Sequence, residues 1–390
     1  MRAMVLGAGR MGRAAAWDLA RQPGVSAVRL VDRDADALKA AEHELGQLLA
    51  STLPDSKAKI EASRYDLDDG SGLTRLLSGF DVMLSCSDYR YNVDLTRAAI
   101  EARCHMCDLG GNLFVVEKQL ALDDDAKRAG VTVVPDCGLA PGMACLFAAH
   151  GVELMDSAES VTIRVGGLPA HPKPPLNYRM LFAVRGLTNE YLEPAEALRD
   201  GKIVRIPSLT EPEPVEFPYP FGTLEAFNTS GGSSTLPRTL KHKLRNLDYK
   251  TIRYPGHMAA FAGMHAIGLL SEKPVDGVVP RQFTEKLLER SLTDDDTDVA
   301  LVRVTIDGMK GGKAQRLVFE VIDRHDPKTG HSAMARTTSY PAAVVAYMLG
   351  AGAIQKRGVL PGELAVPLGP FVSAVRARGI EVTERWTSVS

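Results

Sequence analysis

The sequence predicts an α/β protein that is built on a doubly wound parallel sheet and carries a second, α+β domain. Short apolar runs alternate with helical patterns over the first 140 residues. The first run passes into the first helical pattern through Gly7-Ala-Gly-Arg-Met-Gly12. After residue 140 the alternation stops, and glycine, proline and aromatic residues become more frequent. Because strands that alternate with helices form parallel sheets, the change of pattern indicates two domains.

The apolar runs and helical patterns of the first part follow one another in regular order. Strands are predicted at Met4–Leu6, Ala27–Val31, Lys59–Ala62, Val82–Ser85, His105–Leu109 and Val131–Pro135. Helices are predicted between them at Gly12–Arg21, Ala35–Leu49, Leu73–Leu77, Asn92–Ala102 and Glu117–Ala129. This succession is typical of a doubly wound sheet.

The glycine fragment predicts a dinucleotide-binding turn of the Rossmann type. Gly7 permits the tight turn, Gly9 lets a pyrophosphate approach the backbone, and Gly12 lets the helix pack close to the strand. Arg10 and Met11 begin the helix, so their N–H groups are predicted to face the phosphates. An ordinary glycine turn is the alternative, and the strand and helix on either side favour the nucleotide site.

An acid at the end of the second strand predicts which dinucleotide binds. Asp32 occupies the position that binds the ribose hydroxyls in this fold. A carboxylate there repels a 2′-phosphate, so the predicted cofactor is NAD rather than NADP. Arg33 follows directly, and as a ligand it would soften that preference; a solvated surface role is its alternative.

Three further loops are predicted to face the cofactor because they follow strands of the parallel sheet. Asp66 and Leu67 follow the third strand, Ser85 and Cys86 lie at the end of the fourth, and Leu109 ends the fifth. Ligands of such sheets bind outside the carboxyl ends of the strands. Simple turn chemistry is the alternative for each loop, since Ser, Asp and Gly are common in turns.

Composition predicts a soluble, cytoplasmic protein. The chain has 390 residues, of which 45% are hydrophobic and 24% charged, and its formal net charge is −2. This charge favours neither a nucleic acid nor an anionic membrane as partner. The first predicted strand begins within three residues of Met1, which leaves no room for a signal peptide. No apolar run approaches the roughly 20 residues of a membrane span.

The cysteines are predicted to be buried thiols rather than disulfides or metal ligands. All five lie between Cys86 and Cys145, and Cys104-His-Met-Cys107 forms a CxxC pattern. A zinc site needs about four ligands, and no second CxxC or HxxxH follows. No metal is therefore expected.

The sequence is predicted to divide into three parts. Residues 1–140 form the predicted dinucleotide-binding domain, and residues 141–335 form an inserted substrate-binding and oligomerisation domain. Val299–Ile306 and Gln315–Val321 are predicted to form a hairpin in this second domain. Residues 336–390 are predicted to form helices that return to the dinucleotide-binding domain.

Several blocks of this sequence resemble the saccharopine dehydrogenase-like superfamily along essentially the whole chain. The blocks are Val5-Leu-Gly-Ala-Gly-Arg-Met-Gly12, Val133-Val-Pro-Asp-Cys-Gly-Leu-Ala-Pro-Gly142, Gly166-Gly-Leu-Pro169, Leu224-Glu-Ala-Phe-Asn-Thr-Ser-Gly-Gly-Ser-Ser-Thr-Leu236, Tyr249-Lys-Thr-Ile-Arg-Tyr-Pro-Gly-His257 and Met334-Ala-Arg-Thr-Thr338. The glycine block is common to many proteins, whereas the Thr-Ser-Gly-Gly and Tyr-Lys-Thr-Ile-Arg-Tyr blocks are far more specific.

One departure selects a group within the superfamily. Saccharopine reductases and carboxynorspermidine dehydrogenases carry an acid in a Gly-Leu-Asp-Pro-Gly type block, where this chain has Ala140. The chain is thus most similar to the L-lysine 6-dehydrogenase group. The resemblance implies an amino-acid substrate, NAD-dependent oxidative deamination of L-lysine at the ε carbon to allysine, and a homodimer or higher oligomer.

The resemblance also selects two residues for proton transfer. Glu225 lies in an otherwise apolar run, where a carboxylate would pair with an ammonium or take its proton; a cap or a salt bridge is its alternative. His257 follows Pro255-Gly256, so a loop is expected to present it. A free imidazole titrates near about 6.5, which suits a proton shuttle, and a surface histidine is the alternative.

Four more residues are predicted to bind substrate. Arg253 is the candidate for the α-carboxylate, since a guanidinium binds a carboxylate with two parallel hydrogen bonds. Lys250 would share its face in a helix and lie on the opposite face in a strand. Thr229 and Ser230 precede two glycines and would orient an anion or water; a helix cap is their alternative.

Two other functions compete with lysine oxidation. One is a saccharopine- or opine-type reductase of the same superfamily, which would need two organic substrates. The other is an NAD-binding regulatory protein without turnover, which would bind NADH tightly and oxidise no amine.

Overall fold

The computed structural model describes residues 1–52, 59–293 and 296–389. The chain divides into two compact units. Unit 1 contains residues 1–150, 327–331 and 335–380, and unit 2 contains residues 151–326, 332–334 and 381–390. Within the described ranges, none of the helices is both long and apolar enough to cross a lipid bilayer.

The strands of the described residues are numbered in chain order. They are β1 (Arg2–Leu6), β2 (Ala27–Asp32), β3 (Lys59–Arg64), β4 (Val82–Ser85), β5 (His105–Asp108), β6 (Thr132–Val134), β7 (Ser157–Pro169), β8 (Ala195–Arg199), β9 (Lys202–Ile206), β10 (Glu213–Phe217), β11 (Gly222–Asn228), β12 (Asn246–Arg253), β13 (Asp298–Lys310), β14 (Lys313–Arg324), β15 (Gly358–Val359) and β16 (Thr383–Ser388).

The α-helices are numbered in the same way. They are α1 (Arg10–Ala20), α2 (Ala35–Thr52), α3 (Leu73–Leu77), α4 (Asn92–Ala102), α5 (Leu113–Leu120), α6 (Asp123–Ala129), α7 (Met143–Leu154), α8 (Val184–Leu192), α9 (Leu236–Leu240), α10 (His257–Ala266), α11 (Pro280–Ser291), α12 (Ala333–Gly350), α13 (Gly362–Ala365) and α14 (Leu368–Arg376).

Unit 1 is built on the predicted doubly wound sheet. Its strand order is β15-β6-β5-β4-β1-β2-β3, and every pairing in it is parallel. Ala3, Met4, Val5 and Leu6 of β1 are all fully buried, although successive side chains point to opposite faces. Burial on both faces is the mark of a parallel sheet covered by helices, so this part of the fold prediction is confirmed.

Unit 2 is built on a second, mixed sheet. Its main path runs β10-β11-β12-β7-β13-β14-β16, and β8 and β9 pair beside β12. Among the described strands of this second sheet, only β12 and β7 pair in parallel. The predicted hairpin is β13 and β14, which turn at Gly311 and Gly312, both with positive φ. The α+β class predicted for this part of the chain is therefore present.

The structure corrects the prediction at two places. The single helix predicted at Glu117–Ala129 is two helices, α5 and α6. The segment 336–390 was expected to be helical and to return to the first domain, but its end forms β16, which pairs with β14 in unit 2. A short strand that pairs only with a distant neighbour leaves little periodic signal in its own sequence.

The buried CxxC cysteines agree with the prediction of structural thiols. Cys104 and Cys107 are fully buried, and neither forms a disulfide. Burial raises the pKa of the Cys104 thiol to about 12, so it stays protonated at neutral pH.

Candidate active site

The glycine turn of unit 1 has the geometry of a dinucleotide site. Gly7 has φ +98°, and a Cβ there would lie 2.8 Å from the carbonyl oxygen of Cys86. A Cβ on Gly12 would clash with the carbonyl oxygen of Gly7, so this position too requires glycine. A Cβ on Gly9, by contrast, would meet no atom within 4 Å. Gly7 and Gly12 therefore build the turn, and Gly9 leaves open space beside it.

The start of α1 leaves its amides available to an anion. Gly9 is the N-cap residue and supplies no side chain, so the first turn has no side-chain cap. Arg10 and Met11 form the beginning of this turn, and Arg10 is exposed. Helix N-termini of this kind favour phosphate because their N–H groups and their dipole both attract negative charge.

A recess of about 330 Å³ adjoins the glycine turn, and six of the predicted cofactor residues line it: Gly7, Gly9, Asp32, Asp66, Leu67 and Cys86. Asp32 accepts a hydrogen bond from the Ala8 amide at 2.7 Å, which fixes its carboxylate beside the turn. Burial raises the pKa of the Cys86 thiol, which therefore contributes a neutral wall. The open space at Gly9, the uncapped helix and the acid on β2 together fit a nicotinamide dinucleotide.

The other five predicted cofactor residues do not line that recess: Arg10, Met11 and Gly12, which lie in the first turn of α1, and Ser85 and Leu109. The Ser85 hydroxyl is buried and bonds to Ser87 and Asn92 at 2.9 and 3.1 Å. Leu109 is held by its amide, which donates to the Ser85 carbonyl at 3.2 Å. Both shape the ends of β4 and β5, and a direct contact with the cofactor stays a prediction.

Arginines on the rim of the recess have nearby carboxylates. Arg33 is exposed, and its guanidinium lies 3.7 Å from Asp68. Asp68 also accepts a hydrogen bond of 2.5 Å from the Tyr91 hydroxyl. Arg90 lies 3.7 Å from Asp88. Exposed pairs of this kind are weak, so both arginines are able to reorient.

Arg253 is the central charge of the candidate substrate site in unit 2. It ends β12 and is 3% exposed. Its Nη1 donates to the Ile252 carbonyl at 3.0 Å, its Nε donates to the Tyr191 hydroxyl at 3.1 Å, and its guanidinium lies 4.9 Å from the Tyr178 ring centre. Burial opposes its charge, but Tyr191, Tyr178 and Glu190 raise its pKa above the ordinary value.

This buried guanidinium has no carboxylate partner in the described part of the chain. No Asp or Glu oxygen there lies within 4.0 Å of its nitrogens. An unpaired buried charge is costly, and fixed hydrogen-bond donors without a protein anion are suited to an external one. The geometry therefore supports the predicted carboxylate-binding role of Arg253.

His257 is not presented by a loop, and this expectation was wrong. It is the first residue of α10 and is 1% exposed. Its Nδ1 lies 3.0 Å from the Leu176 carbonyl, and its Nε2 lies 2.9 Å from the Tyr191 hydroxyl. Burial and the Arg253 charge lower the pKa of the imidazole to about 3. The carbonyl must accept from Nδ1–H, so Nε2 accepts from Tyr191 in a neutral ring.

Glu225 has the contacts of a helix cap, one of the two roles that the sequence left open. Its two carboxylate oxygens accept hydrogen bonds from the amides of Gly256 and Met258 at 3.1 and 2.7 Å. These amides begin α10, where a carboxylate is favoured by the free N–H groups and by the helix dipole. The alternative role of Glu225 in proton transfer stays a prediction.

Lys250 lies on the opposite face of the sheet from Arg253. The two residues are three positions apart in β12, and strand side chains alternate between faces. The ammonium of Lys250 donates to a Glu213 carboxylate oxygen and to the Glu211 carbonyl, both at 2.8 Å. Lys250 thus belongs to an ion-pair cluster with Glu213 and Arg164, and its predicted contact with substrate stays a prediction.

Thr229 and Ser230 lie on the same side of the sheet as Arg253. Thr229 shares a hydrogen bond of 2.7 Å with Thr251, which is two positions before Arg253 in β12. The Ser230 amide donates to the Glu190 carbonyl at 2.9 Å. Neither hydroxyl caps α9, which begins at Leu236. The two residues connect the Arg253 strand to α8.

Two residues of α8 belong to this site and were missed from the sequence. Tyr191 is buried and joins Arg253 to His257. Glu190, its neighbour, is half-buried, and its carboxylate makes no hydrogen bond or ion pair within the described residues. Burial raises the pKa of Glu190 to about 7, against the opposing effect of Arg253. The sequence alone does not indicate a role for Glu190 and Tyr191, because their proximity to Arg253 is seen only in the folded structure.

Unit 1 thus has the α/β fold of a dinucleotide-binding domain, and unit 2 buries the Arg253 guanidinium without a carboxylate partner among the described residues. Family models match almost the whole chain. The saccharopine dehydrogenase NADP binding domain matches residues 3–134, and the saccharopine dehydrogenase C-terminal domain matches residues 138–380. The chain therefore belongs to the saccharopine dehydrogenase family, a family of oxidoreductases.

Curated relatives include proteins of three names. Saccharopine dehydrogenase [NADP(+), L-glutamate-forming] of Pyricularia oryzae is 25% identical over 61% of this chain and 55% of its own length. Mouse alpha-aminoadipic semialdehyde synthase is 23% identical over 79% of this chain and 41% of its own length. Vibrio cholerae carboxynorspermidine synthase is 25% identical over 85% of this chain and 84% of its own. The chain thus spans only about half the length of the first two.

Solved structures share the fold. Saccharopine dehydrogenase (L-Glu forming) of Saccharomyces cerevisiae, in its apo form, has a TM-score of 0.78 at 20% identity, with 99% of both chains covered. Homospermidine synthase of Legionella pneumophila in complex with NAD has a TM-score of 0.67 at 12% identity, with 99% of this chain and 91% of that chain covered.

Proposed function

We propose that the protein is an NAD-dependent dehydrogenase that oxidises L-lysine at its ε carbon. The observation that carries the proposal is the buried Arg253 guanidinium, which has no carboxylate partner among the described residues. An amino-acid carboxylate would complete this site with charge-assisted hydrogen bonds. The choice of the ε carbon rests on the resemblance to lysine 6-dehydrogenases, and within it on Ala140.

The proposed reaction converts lysine, NAD⁺ and water to allysine, ammonium, NADH and a proton. The nicotinamide, when bound, supplies the acceptor for the hydride that leaves the ε carbon. The ε-ammonium has a reference pKa of about 10.4, so it must lose a proton before the carbon is oxidised. Allysine then cyclises to Δ1-piperideine-6-carboxylate with loss of water.

The residues of unit 2 bind and orient the substrate in this proposal. Arg253 binds the α-carboxylate, and Tyr191 and the Ile252 carbonyl hold the guanidinium plane in place. His257 remains neutral and supports Tyr191. The ring of Tyr178 lies against the guanidinium and excludes water from that side. The lower local dielectric strengthens the attraction between the guanidinium and the substrate carboxylate.

NAD is proposed as the cofactor because Asp32 lies beside the glycine turn. Asp32 is held in place by the Ala8 amide at 2.7 Å, and a 2′-phosphate near it would be repelled. The name of the matching N-terminal domain and the name of the Pyricularia oryzae relative point to NADP instead. Arg33 is the residue that would serve a 2′-phosphate if the preference were reversed.

A saccharopine-type reductase is the second candidate. The names of the relatives favour it, and a second carboxylate-bearing substrate would also suit the cationic site in unit 2. The absence of an acid at position 140 favours lysine oxidation over it. A reductase would consume NADPH only when an amino acid and an aldehyde or keto acid were both present.

Lysine deuterated at carbon 6 tests the proposal directly. The label should appear in NADH, and ortho-aminobenzaldehyde should trap the cyclised product. Label transfer from carbon 2, or formation of an α-keto acid, would contradict it. Turnover only with saccharopine, or only with two organic substrates, would support the second candidate. Tight NADH binding without oxidation of any amine would indicate a regulatory protein.

A further inference from the structure

We infer that Glu190 and Arg253 together form a clamp for the head group of an α-amino acid, in which Glu190 binds the α-ammonium. The inference deepens the proposed function and rests on its assignment of Arg253 to the α-carboxylate. Nothing in the chemistry of the ε carbon requires Glu190, so this is a residue for substrate specificity.

The backbone of Glu190 is held near Arg253 by its neighbour Tyr191 and by a contact with Ser230. Glu190 directly precedes Tyr191 in α8, and the Tyr191 hydroxyl is hydrogen-bonded to Nε of Arg253 at 3.1 Å. The carbonyl of Glu190 accepts the Ser230 amide at 2.9 Å. The position of the Glu190 backbone beside the end of β12 is therefore set by two independent contacts.

The two side chains interact electrostatically but form no ion pair. The Arg253 charge favours ionisation of Glu190, yet no oxygen of Glu190 lies within the 4.0 Å of a salt bridge. Glu190 also keeps accessible surface, unlike Tyr191 and Arg253. A carboxylate and a guanidinium that interact without forming an ion pair are stabilised by a ligand that carries the complementary pair of charges.

An α-amino acid zwitterion is such a ligand. Its ammonium and carboxylate are attached to the same carbon, so they can pair with two protein charges that lie near each other. A carboxylate alone would satisfy Arg253 and leave Glu190 unpaired, and an amine alone would do the reverse. The site should therefore favour ligands that carry both groups.

The experiment compares L-norleucine, which has the complete head group, with hexanoate, which lacks the α-ammonium. Neither has an ε-amine, so the measurement is independent of oxidation at the ε carbon. Calorimetric titration of the full-length protein should give norleucine a tenfold to hundredfold higher affinity, about the value of a charged hydrogen bond. In Glu190→Gln the affinities for norleucine and hexanoate should differ by no more than about threefold. The affinity for hexanoate should be unchanged or higher than in the wild type.

The control is Glu289→Gln, which removes an exposed carboxylate from α11 and should leave the ratio unchanged. A folded Glu190→Gln protein that keeps the ratio would overturn the inference. Equal affinities of the wild-type protein for hexanoate and norleucine would also overturn the inference, even if the Glu190→Gln variant did not fold. If the ratio depends on Glu190 but lysine is not oxidised, the clamp stands and the proposed reaction fails.

Discussion

The hydroxyl of Tyr191 lies 2.9 Å from Nε2 of His257, and this contact determines what each residue is able to do. Because Nδ1 of the imidazole donates to the Leu176 carbonyl, Nε2 is left as an acceptor and the phenol must donate to it. The phenol oxygen then faces Nε of Arg253 as an acceptor. The donor and the acceptor of each hydrogen bond from Leu176 through His257 and Tyr191 to Arg253 are therefore determined. The guanidinium of Arg253 has one preferred orientation as a result.

Protonation of His257 should destabilise the fold in acid. The pKa of the buried ring is about 3, below its ordinary 6.5, so between these values the unfolded chain binds a proton that the folded chain does not. The free energy of unfolding should thus fall as pH is lowered through this range, by up to about 1.4 kcal/mol per pH unit from this residue. Urea titrations of wild type and His257→Gln should differ in this slope. His242→Gln, at an exposed position, is the control, and equal slopes in all three proteins would contradict the prediction.

Removal of the Tyr191 hydroxyl should weaken substrate binding without affecting the cofactor. In Tyr191→Phe the Nε of Arg253 and the Nε2 of His257 both lose their partner, which costs about 1–3 kcal/mol when such groups are buried. The expected result is a raised KM for lysine with unchanged NAD affinity, measured by steady-state kinetics and by NADH fluorescence titration. Tyr219→Phe serves as the control because Tyr219 is 96% exposed. A KM equal to that of wild type would show that Arg253 does not need this support.

Loss of the Arg253 guanidinium should weaken substrate binding more than loss of the Tyr191 hydroxyl does. Arg253→Met keeps a similar length of apolar side chain and should lower kcat/KM for lysine by about 30-fold or more, which corresponds to about 2 kcal/mol. Lys243→Met removes an exposed cation from the same unit and should leave the kinetics unchanged. If a folded Arg253→Met enzyme kept the wild-type KM for lysine, the carboxylate would have to bind elsewhere.

Gly9 and Gly12 should respond differently to the same substitution. A Cβ on Gly12 clashes with the Gly7 carbonyl, so Gly12→Ala should lower the melting temperature. A Cβ on Gly9 meets no protein atom within 4 Å, and its φ of −72° is allowed for alanine. Gly9→Ala should therefore fold normally and bind NADH more weakly, because the new methyl occupies the space predicted for the pyrophosphate. Normal NADH affinity in Gly9→Ala would place the phosphates elsewhere.

Replacement of the acid on β2 should change the choice of cofactor. Asp32→Ser removes the carboxylate that repels a 2′-phosphate and should narrow the ratio of kcat/KM between NAD and NADP. The exposed Arg33, 3.7 Å from Asp68, would then be available to the phosphate. The measurement is kcat/KM with NAD divided by kcat/KM with NADP, for the wild type and for the variant. A wild-type enzyme that uses NADP as well as NAD would contradict the prediction for Asp32.

The parts of the site that could be predicted from sequence are those with a local cause. Gly7, Gly9 and Gly12 act within one turn, so their spacing alone indicates their role. Glu190 and Tyr191 carry no such signal. Tyr191 and Arg253 are hydrogen-bonded but lie 62 positions apart in the sequence. The role of Glu190 and Tyr191 therefore depends on the contact of α8 with the end of β12, which is present only in the folded protein. The same applies to His257, whose sequence context suggests an exposed loop and whose neighbours make it a buried, neutral ring.

The order in which the chain enters its two units has a consequence for biosynthesis. Unit 1 combines residues 1–150 with segments that end at residue 380, and its edge strand β15 pairs with β6. On the ribosome the glycine turn emerges early, but the sheet that carries it lacks its last strand until most of unit 2 has been translated. The nascent chain therefore keeps the edge of β6 unpaired during most of its synthesis, and neither unit corresponds to one continuous stretch of the message.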